Sequence, residues 1–135
     1  MKLTLHHINL CTNNVKEMDK FYTEVLDMKA EPSLENLRVK DEGYSGSVSF
    51  ITDGNLQIHL AQKDLESNFK TGKAVNPLER GHIAYRTDDI EAFKKRLEEK
   101  GIKYADFGGW AMSGWHQIFF YDPEGNVIEV HQAAE

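Results

Sequence analysis

The chain has 135 residues, of which 40% are hydrophobic and 28% charged, the composition and length of one folded globular domain. Its formal net charge of -6 disfavours nucleic acid and anionic membrane surfaces as partners, because both are bound through Lys and Arg, and no apolar run is long enough to cross a bilayer. The single cysteine, Cys11, excludes an intrachain disulfide, and the N-terminus lacks the apolar segment of a signal peptide, so we expect a cytoplasmic protein.

The first predicted elements are a strand and a helix. The strand opens at His7, and the helix follows Asn14, whose side chain can cap free backbone N–H groups, with Glu17 completing a capping box. Apolar residues then recur at helical spacing, at Val15, Met18, Tyr22, Val25 and Leu26. The helix ends near Asp27, which replaces the usual glycine and is expected to be left-handed at the cost of some strain.

Three further strands are predicted in the first half of the chain. They cover residues 37–39, 47–52 and 56–61, and Asp53-Gly54 forms a tight turn between the last two. Residues 63–79 lack periodicity and contain Gly72 and Pro77, so we expect a linker there.

The second half repeats the first at an offset of 75 residues. A strand opens at His82, a helix follows Asp89, and Gly101 ends that helix. Ile90, Phe93 and Leu97 occupy the positions of Val15, Met18 and Tyr22. Strands are predicted over residues 103–107, 116–121 and 127–131, with a turn at 122–126.

Each half therefore has the order βαβββ. We expect an α+β protein in which module one (residues 1–62) and module two (80–135), joined by the linker (63–79), form a single domain. The two modules are expected to build a curved mixed sheet that encloses a cleft.

Four polar residues lie among apolar neighbours on these strands: His7, His59, His82 and Glu129. Successive side chains of a strand point to opposite faces, so the apolar set can pack under the helices while these four face the other side. The repeat pairs His7 with His82 on first strands, and His59 with Glu129 on last strands. Pseudo-twofold symmetry then brings them together as ligands of one divalent metal ion, and three imidazoles with one carboxylate suit Fe, Mn, Ni, Co or Zn.

The other strand histidines are expected to have different roles. A single strand histidine is more often a surface or hydrogen-bonded core residue than a ligand, so the assignment of His59 has less support than the other three. His6 points away from His7 in an alternating strand and is expected to be structural. His131 shares a face with Glu129, and we expect it at the solvated end of the last strand.

Two motifs resemble those of a known family, and the likeness spans nearly the whole chain. Residues 21–26, FYTEVL, are similar to the FYxxVLG helix of the glyoxalase, fosfomycin-resistance and extradiol-dioxygenase superfamily, the vicinal oxygen chelate proteins. Residues 120–129, FYDPEGNVIE, are similar to its F-x-DPxGN-x-IE signature. The resemblance implies paired βαβββ modules and a metal held at His7, His59, His82 and Glu129, with Glu129 as a catalytic residue.

The resemblance also implies chemistry and assembly. A small-molecule substrate chelates the metal through adjacent oxygens, and the metal acts as a Lewis acid on developing negative charge. Members commonly form homodimers, and some exchange modules, so a site shared between two chains is an alternative to a site within one chain. Glyoxalase I usually has a carboxylate at the position of His59, and this chain departs from it there.

Three residues are candidates for substrate binding. Arg86 shares a face with His82 and can reach a substrate anion at the cleft edge, with a surface salt bridge as the alternative. Trp110 and Trp115 belong to the glycine-rich segment 107–115, which we predict to be a substrate-facing loop or lid. The alternative is that one tryptophan packs in the core or in a dimer interface.

Two classes of function follow from these residues. The favoured one is a metal-dependent, glyoxalase-like enzyme of lyase, isomerase, thiol-transferase or dioxygenase type, because all four ligand positions carry competent side chains. The other is a non-catalytic, drug-binding or sequestering protein of the bleomycin-resistance type, whose role does not require those ligands.

Overall fold

Eight strands form one curved mixed sheet within residues 1–39 and 43–134, which are the residues that the computed structural model describes. The strands are β1 (Leu3–Thr12), β2 (Lys29–Ala30), β3 (Val48–Thr52), β4 (Gln57–Gln62), β5 (Gly81–Thr87), β6 (Ala105–Gly108), β7 (Trp115–Tyr121) and β8 (Val127–Ala133). The α-helices are α1 (Val15–Glu24), α2 (Ser67–Thr71) and α3 (Ile90–Glu99). No helix in this part of the chain is long and apolar enough to span a membrane.

The strand order shows how the two halves of the chain build the sheet. It runs β2-β3-β4-β1-β5-β8-β7-β6, so each half contributes one contiguous set of four strands. β1 pairs in parallel with β4, β5 pairs in parallel with β8, and the antiparallel pairing of β1 with β5 joins the halves. The expected α+β fold of paired βαβββ units is confirmed.

The two longer helices pack against one face of the sheet. Asn14 Oδ1 accepts a hydrogen bond from Glu17 N at the start of α1, and Asp89 Oδ1 accepts one from Ala92 N at the start of α3, as the capping residues predict. Buried apolar side chains that pack with these helices are Ile51, Leu60, Ile118 and Val130. The helices thus cover the apolar face and leave the other face of the central strands for the polar residues.

Two predicted elements differ from those observed. The strand predicted over residues 37–39 is wrong, because the chain forms a 3-10 helix over Pro32–Leu37 and the short strand β2 precedes it. Proline fixes φ at a helical value and is favoured in the first turn, and Glu31 caps this helix by accepting a hydrogen bond from Ser33 N. The segment 63–79, expected to be an irregular linker, contains α2.

Cys11 lies half-buried on β1. Its Sγ approaches Asn9 Oδ1 at 3.4 Å and Pro77 O at 3.8 Å. Burial raises the pKa of the Cys11 thiol to about 12, so the nucleophilic thiolate is scarce at neutral pH. This cysteine is therefore a packing residue and not a nucleophile.

Asp27 has the left-handed conformation expected from the sequence, with φ at 58°, and its side chain is exposed. We predict that Asp27→Gly raises the free energy of unfolding by about 0.5 kcal/mol, because glycine adopts positive φ without steric cost and this gain exceeds its larger loss of chain entropy. The matched variant Asp27→Ala should lower it by about 1 kcal/mol. Urea unfolding measures both, and a destabilised glycine variant would contradict the prediction.

Candidate metal centre

The four central strands of the sheet each carry one predicted ligand. His7 lies on β1, His59 on β4, His82 on β5 and Glu129 on β8. Between 1% and 8% of each of these residues is exposed, and all four line the same cavity. The alternation of strand faces and the pairing of the two halves therefore bring these residues to one place.

Three of these four residues have ligand atoms close enough to hold one ion. One ligand atom each of His7, His82 and Glu129 lies within 4.8 Å of the other two. His82 Nε2 is 3.1 Å from Glu129 Oε1, and His7 Nε2 is 3.9 Å from Glu129 Oε2. Atoms that bind one ion at about 2.1 Å can be at most about 4.2 Å apart, and both distances satisfy this limit. The three residues come from a single chain.

The hydrogen bond of His82 to the backbone indicates which ring nitrogen faces Glu129 as an acceptor. Its Nδ1 is 3.1 Å from Pro77 O, and a carbonyl oxygen only accepts, so Nδ1 carries the proton and donates it. Nε2 then faces a carboxylate oxygen at 3.1 Å, a contact that either a proton on Nε2 or a metal ion between the two atoms makes favourable. Two imidazoles and a carboxylate are suitable donors for Fe, Mn, Ni, Co or Zn, so these residues fit a divalent metal.

Electrostatics favour the protonation states that metal binding requires. Burial lowers the pKa of His7 well below its ordinary value, and the neighbouring His59 lowers it further. Burial lowers the pKa of His59 in the same way. For Glu129 burial acts to raise the pKa, but the interaction with His7 and the hydrogen bond from His131 outweigh it and hold the pKa well below the ordinary value. A metal ion would therefore displace few protons from His7, His59 and Glu129 at neutral pH.

His59 lies beside this trio of His7, His82 and Glu129. Its ring stacks on that of His7 with centroids 3.7 Å apart, and Phe50 contacts it edge-on at 4.8 Å. Its Nε2 is 2.9 Å from Gln57 Oε1, an acceptor, so Nε2 carries the proton and Nδ1 keeps a lone pair. His59 thus forms part of the cavity wall, and its role as a fourth ligand stays a prediction.

His131 has a different environment from the one that we expected. It is completely buried, and its Nδ1 lies 2.6 Å from Glu129 Oε2. Arg86 Nε donates a hydrogen bond to His131 Nε2 at 3.0 Å, which places the His131 proton on Nδ1, facing Glu129. Arg86, His131 and Glu129 form a hydrogen-bonded chain that ends at the candidate metal ligand. Placing His131 at a solvated strand end was wrong because β8 continues to Ala133 between β5 and β7.

A β-bulge explains the position of His6. The pairing of β1 with β5 shifts register between Leu5 and His7, so alternation is interrupted there. His6 Nδ1 lies 2.8 Å from His7 Nδ1, and burial lowers the pKa of His6 to about 4. His6 therefore does not point away from His7 as strict alternation predicts, but contacts the ring of this candidate ligand.

A cavity of about 60 Å³ lies next to the trio. Trp110 and Trp115 both line it, and each also packs on another ring: Trp115 stacks on His131 with centroids 4.0 Å apart, and Trp110 contacts Phe107 at 5.1 Å. Among the described residues, Arg86 is not part of the lining. A volume of this size holds roughly four waters or a ligand fragment of a few atoms.

Arg38 and Gln117 are among the lining residues that were not selected from the sequence as site residues. Arg38 lines the cavity and donates hydrogen bonds to the backbone carbonyls of Tyr44 and Gly46. Gln117 lies on β7 and donates to Glu129 Oε1 at 3.2 Å. Gln117 lies between His116 and Ile118, so the alternation around a polar residue that identified Glu129 was a weaker signal here.

The family assignment follows from comparison with known proteins. The sequence profile of the Glyoxalase/Bleomycin resistance protein/Dioxygenase superfamily matches residues 4–130. The chain belongs to this superfamily. Glyoxylase I 4 of Arabidopsis thaliana is 28% identical over 131 residues, which are 94% of this chain and 69% of the relative.

Solved structures of other proteins confirm the fold. A hypothetical protein of Bacillus halodurans C-125 has a TM-score of 0.71 at 20% identity, covering 100% of this chain and 97% of that protein. Methylmalonyl-CoA epimerase of Mycobacterium tuberculosis has a TM-score of 0.69 at 17% identity, covering 97% of this chain and 88% of the epimerase. At these identities the likeness concerns the fold alone.

The hydrogen-bonded chain behind Glu129 leads to a prediction about metal affinity. His131→Phe keeps an aromatic ring against Trp115 but removes the donor to Glu129, so the carboxylate loses the bond that orients it. We predict metal affinity about tenfold or more below wild type, measured by competition with a chromophoric chelator. The control is His116→Phe, because His116 pairs with Asp106 and does not line the cavity. Equal affinity in both variants would contradict the prediction.

Proposed function

We propose that this protein is a divalent-metal-dependent, glyoxalase-like enzyme of lyase or isomerase type. Its substrate is a small molecule that offers two adjacent oxygens to the metal. Membership of the superfamily and the names of its relatives, a glyoxylase I and methylmalonyl-CoA epimerases, support this class of chemistry.

The observation that carries the proposal is the lone pair of His82 Nε2 opposite Glu129 Oε1. This arrangement is held by the Pro77 carbonyl on one side and by His131 and Gln117 on the other. A divalent cation bound by Nε2 and Oε1 would interact favourably with both atoms, and these contacts hold the two atoms in place before it binds. Such preorganisation is typical of a functional site.

In this proposal His7, His82 and Glu129 hold the metal, with His59 as a possible addition from the neighbouring strand. The bound metal would polarise a substrate carbonyl as a Lewis acid and make the adjacent carbon acid stronger. Glu129 is the only carboxylate among the described residues that line the cavity, so we assign proton abstraction from that carbon to it. Trp110, Trp115 and the apolar wall exclude water from the reacting atoms.

The chain offers an apolar surface for the homodimer that the family implies. Phe21, Val25 and Leu26, at the end of α1 and just after it, are between 52% and 61% exposed. We propose that this surface contributes to a dimer interface, since contiguous exposed apolar groups are typical of such contacts. Because the candidate ligands come from one chain, metal binding in this proposal does not depend on the dimer.

The first test concerns the metal. We predict about one tightly bound divalent ion per chain by elemental analysis after loading and dialysis, and loss of that ion in His82→Ala and in Glu129→Ala. His116→Ala is the matched control and should keep the ion. Circular dichroism checks that each variant is folded. Unchanged metal content in both ligand variants would contradict the site, and no bound metal in wild type would favour a sequestering protein instead.

The second test concerns the reaction. We predict that the metal-loaded protein exchanges the carbon-bound protons next to the carbonyl of hydroxyacetone with D₂O, followed by proton NMR. Glu129→Gln should slow this exchange at least about a hundredfold, since it removes a ligand and the proton acceptor. His116→Ala should exchange at the wild-type rate. Exchange at the wild-type rate in Glu129→Gln would contradict the assigned role, and oxygen uptake with catechol would point to a dioxygenase.

A further inference from the structure

Gln117 has one amide atom that the described residues leave without a partner. The residue is 4% exposed, lies on β7 and lines the cavity beside the trio. Its Nε2 donates to Glu129 Oε1 at 3.2 Å, but its Oε1 is buried and no described residue donates a hydrogen bond to it. Buried amide oxygens are normally hydrogen-bonded, so this one calls for an explanation.

The orientation of the Gln117 amide is fixed by its neighbour. Glu129 accepts a hydrogen bond from His131 on Oε2 and serves as a metal ligand in the proposed function, so it acts as a carboxylate that needs donors. Turning the amide over would place two oxygens about 3.2 Å apart and lose the bond to Glu129. The amide oxygen is therefore the free group, and it is an acceptor only.

No described side chain that lines the cavity donates to this oxygen. The Tyr44 hydroxyl donates to Gln62 O, and Arg38 donates to the carbonyls of Tyr44 and Gly46. Asn9, Trp110 and Trp115 also carry N–H groups at the cavity wall, and none of the three donates to Gln117 Oε1. A donor for Gln117 must consequently come from what occupies the cavity.

We propose that Gln117 is a specificity-determining residue whose Oε1 accepts a hydrogen bond from a hydroxyl or N–H group of the substrate, next to the oxygens that bind the metal. This inference rests on the proposed metal-dependent function and narrows its substrate class. It selects α-hydroxy carbonyl and α-hydroxy acid compounds over dicarbonyls, which have no proton to donate. A metal-bound hydroxyl still carries a proton, so chelation and donation to Gln117 are compatible.

The cavity and the chemistry of its wall agree with a small hydroxylated ligand. A volume of about 60 Å³ suits a fragment of two or three carbons beside the metal ion. Lactate and pyruvate are suitable probes, because both present a carboxylate and an adjacent oxygen, and only lactate has a hydroxyl. Both probes carry the same charge, so Arg38, which lines the cavity and pairs with Glu35, acts on them alike.

The experiment is isothermal titration of Zn(II)-loaded protein with lactate and with pyruvate, in wild type and in Gln117→Met, a side chain of similar size without an amide. We expect lactate to lose about five- to tenfold more affinity than pyruvate in the variant. An effect of the substitution that acts through Glu129 lowers the affinity for both probes. The difference between the two losses of affinity therefore measures the contribution of the amide oxygen. Gln132→Met on β8 is the matched control, since its amide bonds to Ile90 N and Asp88 O, and it should change neither affinity.

The outcomes separate this inference from the proposed function. Metal content is measured first: a wild-type protein that binds no Zn(II) overturns the proposed function itself. With one ion bound, equal losses for lactate and pyruvate in Gln117→Met overturn the role of Gln117 in selecting a donor, as does absence of lactate binding to wild type. If Gln117→Met does not fold, Gln117→Asn withdraws the amide by one methylene, and the same difference between the probes is expected.

Discussion

The burial of Glu129 is the constraint on which the site depends. A carboxylate that is 1% exposed in the middle of a sheet loses several kcal/mol of hydration free energy. Hydrogen bonds from His131 and Gln117 recover part of this free energy. His7 Nε2 and His82 Nε2 also face the carboxylate, but in the state that binds metal neither nitrogen carries a proton to donate. In the proposed function a divalent cation would supply the remaining compensation. The residues around Glu129 therefore reduce the free-energy cost of burying its charge and keep the carboxylate available as a candidate metal ligand.

The topology makes this arrangement possible. Because β1 and β5 are neighbours and each pairs in parallel with the last strand of its own half, four strands carry one ligand candidate each to the centre of the sheet. A duplicated βαβββ unit thus produces a site that neither half contains alone. The helices on the other face need only apolar stripes, which explains why α1 and α3 show the same spacing of Val15, Met18 and Tyr22 and of Ile90, Phe93 and Leu97.

The sequence predicted the parts of this structure that depend on periodicity and repetition. Helix starts at Asn14 and Asp89, the left-handed Asp27 and the gathering of His7, His82 and Glu129 follow from local capping rules and strand alternation. The sequence could not predict the features that depart from regular strand and helix geometry. The bulge before His7 brings His6 to the ligand, and the 3-10 helix after Pro32 replaces a strand that residues 37–39 suggested. The burial of His131 depends on how far β8 extends, which spacing alone does not specify.

The Arg86–His131 pair shows how the surroundings of a ligand determine its chemistry. A guanidinium donates and cannot accept, so Arg86 sets the His131 tautomer, and that tautomer commits one oxygen of Glu129 to an internal hydrogen bond. The other oxygen, Oε1, is left for the metal and is oriented by the Gln117 amide. The Gln117 amide oxygen points away from Glu129. The amide that orients the candidate metal ligand can therefore also accept a hydrogen bond from a substrate. In the proposed function one side chain thus both orients a metal ligand and selects the substrate, so a substitution at Gln117 would affect metal binding and substrate preference together.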